Sequence, residues 1–335
     1  MRPALRLLLA LAVLLGWWVV APDARACACG AVEPADGHRL SADGEQAAIV
    51  FDGTRQTTAI SMGLEGDGEE LAFLLPVPAT AELSLAPDDL FTVLDKHTRP
   101  EVRTEYRYLP VLMGGPGDGA PGGAPGVDVT RRQQIGDYDV AELSGEPGAV
   151  GTWLEQNGFR VREEVLAGLG VYLEEGWRVL AVRLVLDAVP DGPSQPLVAT
   201  FATDHAVYPM RLGATATRSQ AVRLYVLAEH RVVAEVEGSD ALRVRYAGPP
   251  PAAMDVLGSL PGEPVLTAFD DSLNPRSIDG DVLFTVDPAG DVPYRQVRVV
   301  VEDRSWVTLV GVAGVLLLAH LALLTLGLVS LRRTA

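Results

Sequence analysis

Two apolar blocks frame this chain, one at each end, and they constrain it more than any motif between them. Residues 307–331 are 25 consecutive positions without Asp, Glu, Lys or Arg. As a helix such a block would be about 37 Å long, more than the roughly 30 Å hydrocarbon core of a bilayer. Trp306 stands at one edge and Arg332-Arg333 at the other, an interfacial aromatic and a positive flank of the kind that stays cytoplasmic. The pattern predicts a transmembrane helix over 306–331, a cytoplasmic tail over 332–335, and everything earlier on the outside. His320 lies near the middle of that span with no acidic companion in it. A neutral imidazole with a backbone partner is the simpler reading, a relay or a contact with a partner helix the alternative.

The other block, residues 4–20, follows Arg2 and contains Arg6. A positive start, an apolar run and the small-x-small pattern Ala24-Arg25-Ala26 read as a secretory signal over 1–26, with a mature chain beginning at Cys27. Arg25 stands where a lipobox needs a small uncharged residue, so ordinary cleavage is favoured over lipidation. Trp17-Trp18 keeps a retained signal anchor as a further alternative.

Between the blocks lies a body of 279 residues, 27–305, enough for one large or two ordinary domains. It carries 22 basic against 43 acidic residues, a net of −21. That balance excludes a basic nucleic-acid footprint and an acidic-lipid-binding surface.

The body reads as α+β, strand-rich, with mainly antiparallel sheets and a few helices. Alternating apolar positions predict strands at 47–51, 57–64 and 71–77, the last two flanking the acidic, glycine-rich 65–70 in a meander. Pro76 and Pro78 close the third. A short helix follows Pro87, with Leu90, Phe91 and Leu94 as its stripe and Pro100 after it. Further strands are expected at 102–112, 138–143 and 177–185, and helices at 149–156 and 165–173. Residues 221–228 and 231–236 read as a hairpin, and 282–286 with 297–301 as a final strand pair. Residues 113–127 form a Gly/Pro tract that cannot bury enough side chain to order itself, a flexible surface loop. A split into two subdomains near that tract is an open alternative. The proline-rich 248–264 reads as a linker or an extended packing arm.

Five short patterns occur in order: Cys27-Ala28-Cys29-Gly30, Leu71-Ala72-Phe73-Leu74-Leu75-Pro76-Val77-Pro78, Trp153-Leu154-Glu155-Gln156-Asn157-Gly158-Phe159, Gly176-Trp177, and Tyr208-Pro209-Met210-Arg211-Leu212. Together they resemble the domain-of-unknown-function family 2330, exported or membrane-anchored bacterial proteins. The resemblance implies an envelope protein and supplies no activity, substrate or catalytic residue.

Cys27 and Cys29 are the only cysteines, and several readings of the pair stay open. A local disulfide would tie down the mature N-terminus, in a small and strained ring. Two soft thiolates, with the free amino group and His38, would suit copper(I). Pairing to another chain is the third. The acidic runs at 65–70, 270–271 and 279–281 offer oxygens around glycine turns, as calcium requires, but neither region has EF-hand spacing, and solvated turns are the plainer reading. Gly117-Asp118-Gly119-Ala120-Pro121-Gly122 fits a dinucleotide-binding string without the helix that would make it work. Asp204-His205, near Thr203 and Tyr208, would need a nucleophile from elsewhere to form a hydrolytic site, and a turn between strands is the simpler reading. HExxH and GxSxG are absent. These features point to a cell-membrane, single-pass envelope protein acting as a non-enzymatic surface or binding module for an unknown envelope protein or ligand. The alternative is extracytoplasmic redox or metal handling by Cys27 and Cys29. No cofactor is expected on the first reading.

Overall fold

Strands that are apolar on both faces must lie between two layers, and this body is built largely from such strands. The computed structural model describes residues 40–66, 70–107, 128–159, 161–185, 192–237 and 239–304, together with 306, 307, 310 and 314–321. The signal segment, Cys27, Cys29, His38, the Gly/Pro tract and most of the C-terminal apolar block lie outside the described residues. Among those described, no helix is long and apolar enough to cross a membrane. His320 sits in the short helical run 314–321.

The chain opens with β1 (Leu40–Phe51), β2 (Arg55–Gly66), β3 (Glu70–Val77) and β4 (Glu82–Leu85), then α1 (Leu90–Thr98) and β5 (Glu101–Arg107). It continues with β6 (Asp128–Ile135), β7 (Tyr138–Ser144), α2 (Pro147–Gln156), α3 (Glu163–Glu174) and β8 (Arg178–Val185). Next come β9 (Gly192–Pro193), β10 (Leu197–Ala202), β11 (Val207–Tyr208), a 3-10 turn at Arg211–Thr215, β12 (Gln220–Ala228), β13 (Val232–Val236) and β14 (Val244–Gly248). Two more 3-10 turns, Ala252–Leu257 and Pro275–Ser277, flank β15 (Val265–Leu273), and β16 (Val282–Val286), β17 (Tyr294–Arg295) and β18 (Val297–Asp303) end the body.

Nine strands form the main sheet, in the order β17-β14-β15-β12-β1-β2-β10-β4 with β9 beside β2. A four-stranded sheet runs β3-β8-β7-β6, a three-stranded one β11-β16-β13, and β18 pairs with β5. The ladders are antiparallel except β1–β12 and β5–β18. This is the strand-rich α+β architecture expected. Strands from both sides of the Gly/Pro tract share the four-stranded sheet.

Alternation within single strands assigns the layers. In β1, Ala47 and Ile49 face one core while Ala48 and Val50 face another. In β8, Leu180, Val182 and Leu184 share the first core, whereas Val179 and Ala181 pack under α2 and α3. The central core therefore lies between the main sheet and the two smaller sheets. A second core joins the outer face of the main sheet to Leu90, Phe91 and Leu94 of α1 and to Met254 and Leu257 of a 3-10 turn. Residues 248–264 are thus a packing arm. Gln56 of β2 links the layers by accepting from Val207 N (2.9 Å) and donating to Val207 O (2.7 Å), in the manner of a strand partner.

Three expected pairings are corrected. Residues 221–228 and 231–236 are strands but not a hairpin: β12 is central in the main sheet, while β13 pairs with β16. Both faces of β12 are apolar and need two layers, which a free hairpin cannot supply. The meander also breaks, because β3 leaves β2 to pair with β8. There, Pro76 occupies an edge strand, where a missing N–H is tolerated. Finally, 297–301 pairs in parallel with β5 rather than with β16.

One ionic network holds α1 to the main sheet. Arg245, 4% exposed, bonds Asp95 at 2.7 Å and Asp270 at 3.1 Å, and Arg223 bonds the same two carboxylates at 3.1 and 2.9 Å. Burial works against the Asp95 charge, but hydrogen bonds from Arg245 and Arg99 and the fields of Arg245 and Arg223 outweigh it and lower its pKa below 3.8. Stability from this carboxylate is complete above its unfolded pKa and is lost as pH falls through the lower folded value. Truncating Arg245 removes the most buried of their partners and leaves Asp95 and Asp270 to share Arg223, with Arg99 on Asp95. Urea unfolding of the full-length protein in detergent is expected to show Arg245→Ala destabilised by about 2–3 kcal/mol at pH 7, with the difference shrinking below pH 4.

Candidate functional site

Asp281 precedes β16 and is 6% exposed. A buried carboxylate needs donors from several directions, and this one has them. It accepts from the Tyr172 hydroxyl of α3 and from the main-chain N–H groups of Met210 at 2.8 Å and Arg211 at 3.3 Å, and it forms an ion pair with Arg211 Nε at 2.9 Å. Burial, with the neighbouring Asp281 charge, raises the Tyr172 pKa well above 10, so the phenol stays a donor. Arg211 extends the cluster. Its guanidinium lies 4.8 Å from the Tyr172 ring centre and bonds Glu175 at 2.6 Å, and the Tyr172 and Trp177 rings are 4.9 Å apart. Leu212 beside it is buried in the core under α2 and α3. A Cβ on Gly168 of α3 would come within 3.0 Å of Leu212, so a glycine there lets the turn seat closely.

Above this hub opens a cleft of about 760 Å³, lined by Glu175 and Trp177 of the turn between α3 and β8, by His205 and Val207 at β11, by the end of β13 and the residues after it, and by the loop entering β16. Glu175, Glu235, Glu237, Asp240 and Asp281 line it, with Trp177, His205 and Arg211. Asp281 and Glu175 already hold Arg211. Glu235, Glu237 and Asp240 are exposed and make no salt bridge among the described residues. The loop bearing Asp281 is drawn onto β13 by Asp279 N donating to Glu237 O at 3.0 Å, and a Cβ on Gly280 would meet Glu237 at 2.9 Å. The resulting field is negative beside an aromatic wall, an arrangement that favours a cationic group.

Residues 23–285 match DUF2330, a family of uncharacterised proteins conserved in bacteria. The chain belongs to that family. No curated protein matches the chain. Among solved structures, the crystal structure of baculovirus P35 is similar over 77% of this chain and 97% of that one, at 10% identity and a TM-score of 0.31. At that score the likeness carries neither fold nor function across.

In this DUF2330 protein, two of the five motifs meet at the cleft, and a third packs in the same helical core beside them. Gly176-Trp177 and Tyr208-Pro209-Met210-Arg211-Leu212 build the hub and wall. Trp153 and Phe159, ring centres 6.0 Å apart, close the end of α2, with Arg183 lying 5.0 Å over Phe159. The matched segment includes Cys27 and Cys29, which the described residues do not. Asp204-His205 forms the exposed turn expected between β10 and β11, its side chains bonded at 2.5 Å. Thr203 donates to the His205 carbonyl at 2.9 Å, not to the imidazole, and among the described residues no hydroxyl or thiol bonds that ring. His205 instead stands at the cleft.

The acidic runs proposed for calcium resolve differently. Asp270 and Asp271 are held by arginines, Asp271 by Arg243 at 2.7 Å. Asp281 is the hub, and the 65–70 side chains lie outside the described residues. Among the described residues, no three His, Cys, Asp or Glu side chains gather as a metal requires. Glu235, Glu237 and Asp240 were not singled out from the sequence. Their signal is alternation: in β13 the buried Val232, Ala234 and Val236 leave Glu235 outward, and Glu237 continues the series.

Proposed function

We propose that this protein is a single-pass, membrane-anchored envelope protein with an extracytoplasmic binding body, and that its acidic cleft takes a cationic group such as a lysine-rich peptide. The observation that carries the ligand class is that Glu235, Glu237 and Asp240, three carboxylates without salt bridges among the described residues, line the same cleft as Trp177. A ligand ammonium there would meet negative charge and an aromatic edge together, at an exposed site where salt weakens attraction. Support for the anchor comes from the two apolar blocks and the Arg332-Arg333 flank. Cys27 and Cys29 are read as a local bridge at the mature N-terminus.

Two measurements test these parts separately. In calorimetry with the full-length protein in detergent, acetylated tetralysine should bind at low salt. The triple variant Glu235→Gln, Glu237→Gln, Asp240→Asn should bind it at least about tenfold more weakly, a loss of about 1.4 kcal/mol. Equal binding by the variant would remove the cleft from the account. For the anchor, carbonate-washed membranes of producing cells should retain the protein, with an intact mass beginning at Cys27 and two hydrogens short of two free thiols. Release into the wash would contradict the anchor, and a bound metal or two free thiols would favour redox or metal handling by the pair.

A further inference from the structure

The strand from Tyr294 to Asp303 has an edge that faces away from the body. Gln296 N donates to Arg245 O of β14 at 2.8 Å, and Gln296 O accepts from Glu101 N of β5 at 2.9 Å. Both groups belong to one residue, so β14 and β5 lie on the same side of this strand. The main-chain groups of 298, 300 and 302 point to that side as well, and those of 297, 299, 301 and 303 point away. Among the described residues no strand pairs with that outer edge. Among the described residues neither face of its ribbon is covered: residues 101–106 and 297–302 are all exposed, Val299 at 46% and Val300 at 44%. Parallel pairs are ordinarily covered by other layers, and a two-stranded ribbon alone is marginal. The outer edge carries no proline or lysine to keep another strand off.

Its sequence is complementary to itself. Placed antiparallel to a second copy about Val300, the strand sets Arg298 opposite Glu302, twice, and Val299 opposite Val301, twice. The outward-pointing residues 297, 299, 301 and 303 then become the hydrogen-bonded pairs. Arg298, Val300 and Glu302 fall at the non-hydrogen-bonded positions, where facing side chains come closest. Moving the centre by one residue puts Arg298 against Val300, or against Arg304 of the other copy. Arg298 has no salt bridge among the described residues, and Glu302, itself exposed, pairs among them only with Arg304 at 3.1 Å, leaving room for a second cation.

We propose that a second copy of this chain docks on the outer edge of β18, joining two ribbons in one four-stranded sheet, β5-β18-β18-β5, with its two-fold axis at Val300. The interface is isologous and closed, so it makes a dimer rather than a filament. Two short strands bury little area, and confinement of both copies in one membrane would supply the local concentration such a contact needs.

Cysteine scanning in cells producing the full-length chain tests this, in a Cys27→Ser, Cys29→Ser background. At a non-hydrogen-bonded antiparallel pair the Cα atoms stand about 4.5 Å apart, within disulfide range. Val300→Cys should therefore give a reducible covalent dimer on non-reducing gels, and Thr104→Cys, on the exposed neighbouring strand, should not. With Val300→Cys as reporter, adding Arg298→Glu should cut the dimer fraction about tenfold. Adding Glu302→Arg as well should restore it, which a general loss of folding would not allow. The proposal is overturned if Val300→Cys links no better than Thr104→Cys, or if the charge swap fails to restore the dimer. Tetralysine binding by Arg298→Glu should be unchanged, which separates this edge from the cleft.

Discussion

A carboxylate taken out of water must be given donors, and where those donors come from determines which parts of a protein it holds together. Asp281 takes hydrogen bonds from the Tyr172 hydroxyl and from the Met210 and Arg211 N–H groups, and an ion pair from the Arg211 guanidinium. The Tyr172 hydroxyl belongs to the helical layer over the four-stranded sheet, the Met210 N–H and the Arg211 guanidinium to the turn after β11, and the aspartate itself to the loop entering β16. The hub therefore spans the seam between the two smaller sheets. With Arg211 occupied by Asp281 and Glu175, the rim carboxylates beyond it keep their charge uncompensated. The polarity of the cleft follows from that arrangement, since among the described residues Arg211 is the one arginine or lysine lining it and is already taken.

The second constraint is burial on both faces of the strands. Main-sheet strands such as β1 and β12 supply side chains to cores on either side, and β3 and β8 do the same for the second sheet. Layers that share strands in this way cannot be separated without exposing two cores. Charged groups then act as fasteners at the margins. Arg245 fixes α1 to the main sheet, and Arg231 holds the crossing between β12 and β13 through an ion pair with Asp287 at 2.8 Å. By contrast, β5 and β18 leave the layered body and keep their valines in water.

Local pattern was legible in the sequence, and partnership was not. The 3.6-residue stripe of α1, the Asn157-Gly158 stop of α2 and the alternation of β8 all appear where neighbouring residues alone specify them. Pairing depends on distant segments. Nothing within 221–236 tells that β12 inserts between β1 and β15 while β13 crosses to another sheet, because a two-residue turn serves a hairpin and a crossing equally well. The same limit applied to the site. Asp281 was visible as one acid in a run that suggested calcium, and Tyr208-Pro209-Met210-Arg211-Leu212 as one motif among five. That the motif's arginine and amides satisfy this aspartate is a fact of tertiary contact across some 70 residues. Glu235 and Glu237 looked like ordinary outward positions of a strand, and they are. Only the approach of the Asp279–Asp281 loop and the end of α3 makes that face a cleft wall.

The account rests on Asp281 as the fastener of this seam, and amide hydrogen exchange in Asp281→Ala tests it most directly. Removing the carboxylate leaves the Met210 N–H and the Tyr172 hydroxyl without their acceptor and takes from the Arg211 N–H one of its two, the Tyr172 oxygen being the other. Exchange should accelerate at Met210, Arg211 and the residues of β11 and β16, while β1, β12 and β15 in the main sheet keep their protection. If Met210 and Arg211 exchange as slowly in the variant as in the parent protein, Asp281 does not hold the seam, and the cleft must owe its shape to something else.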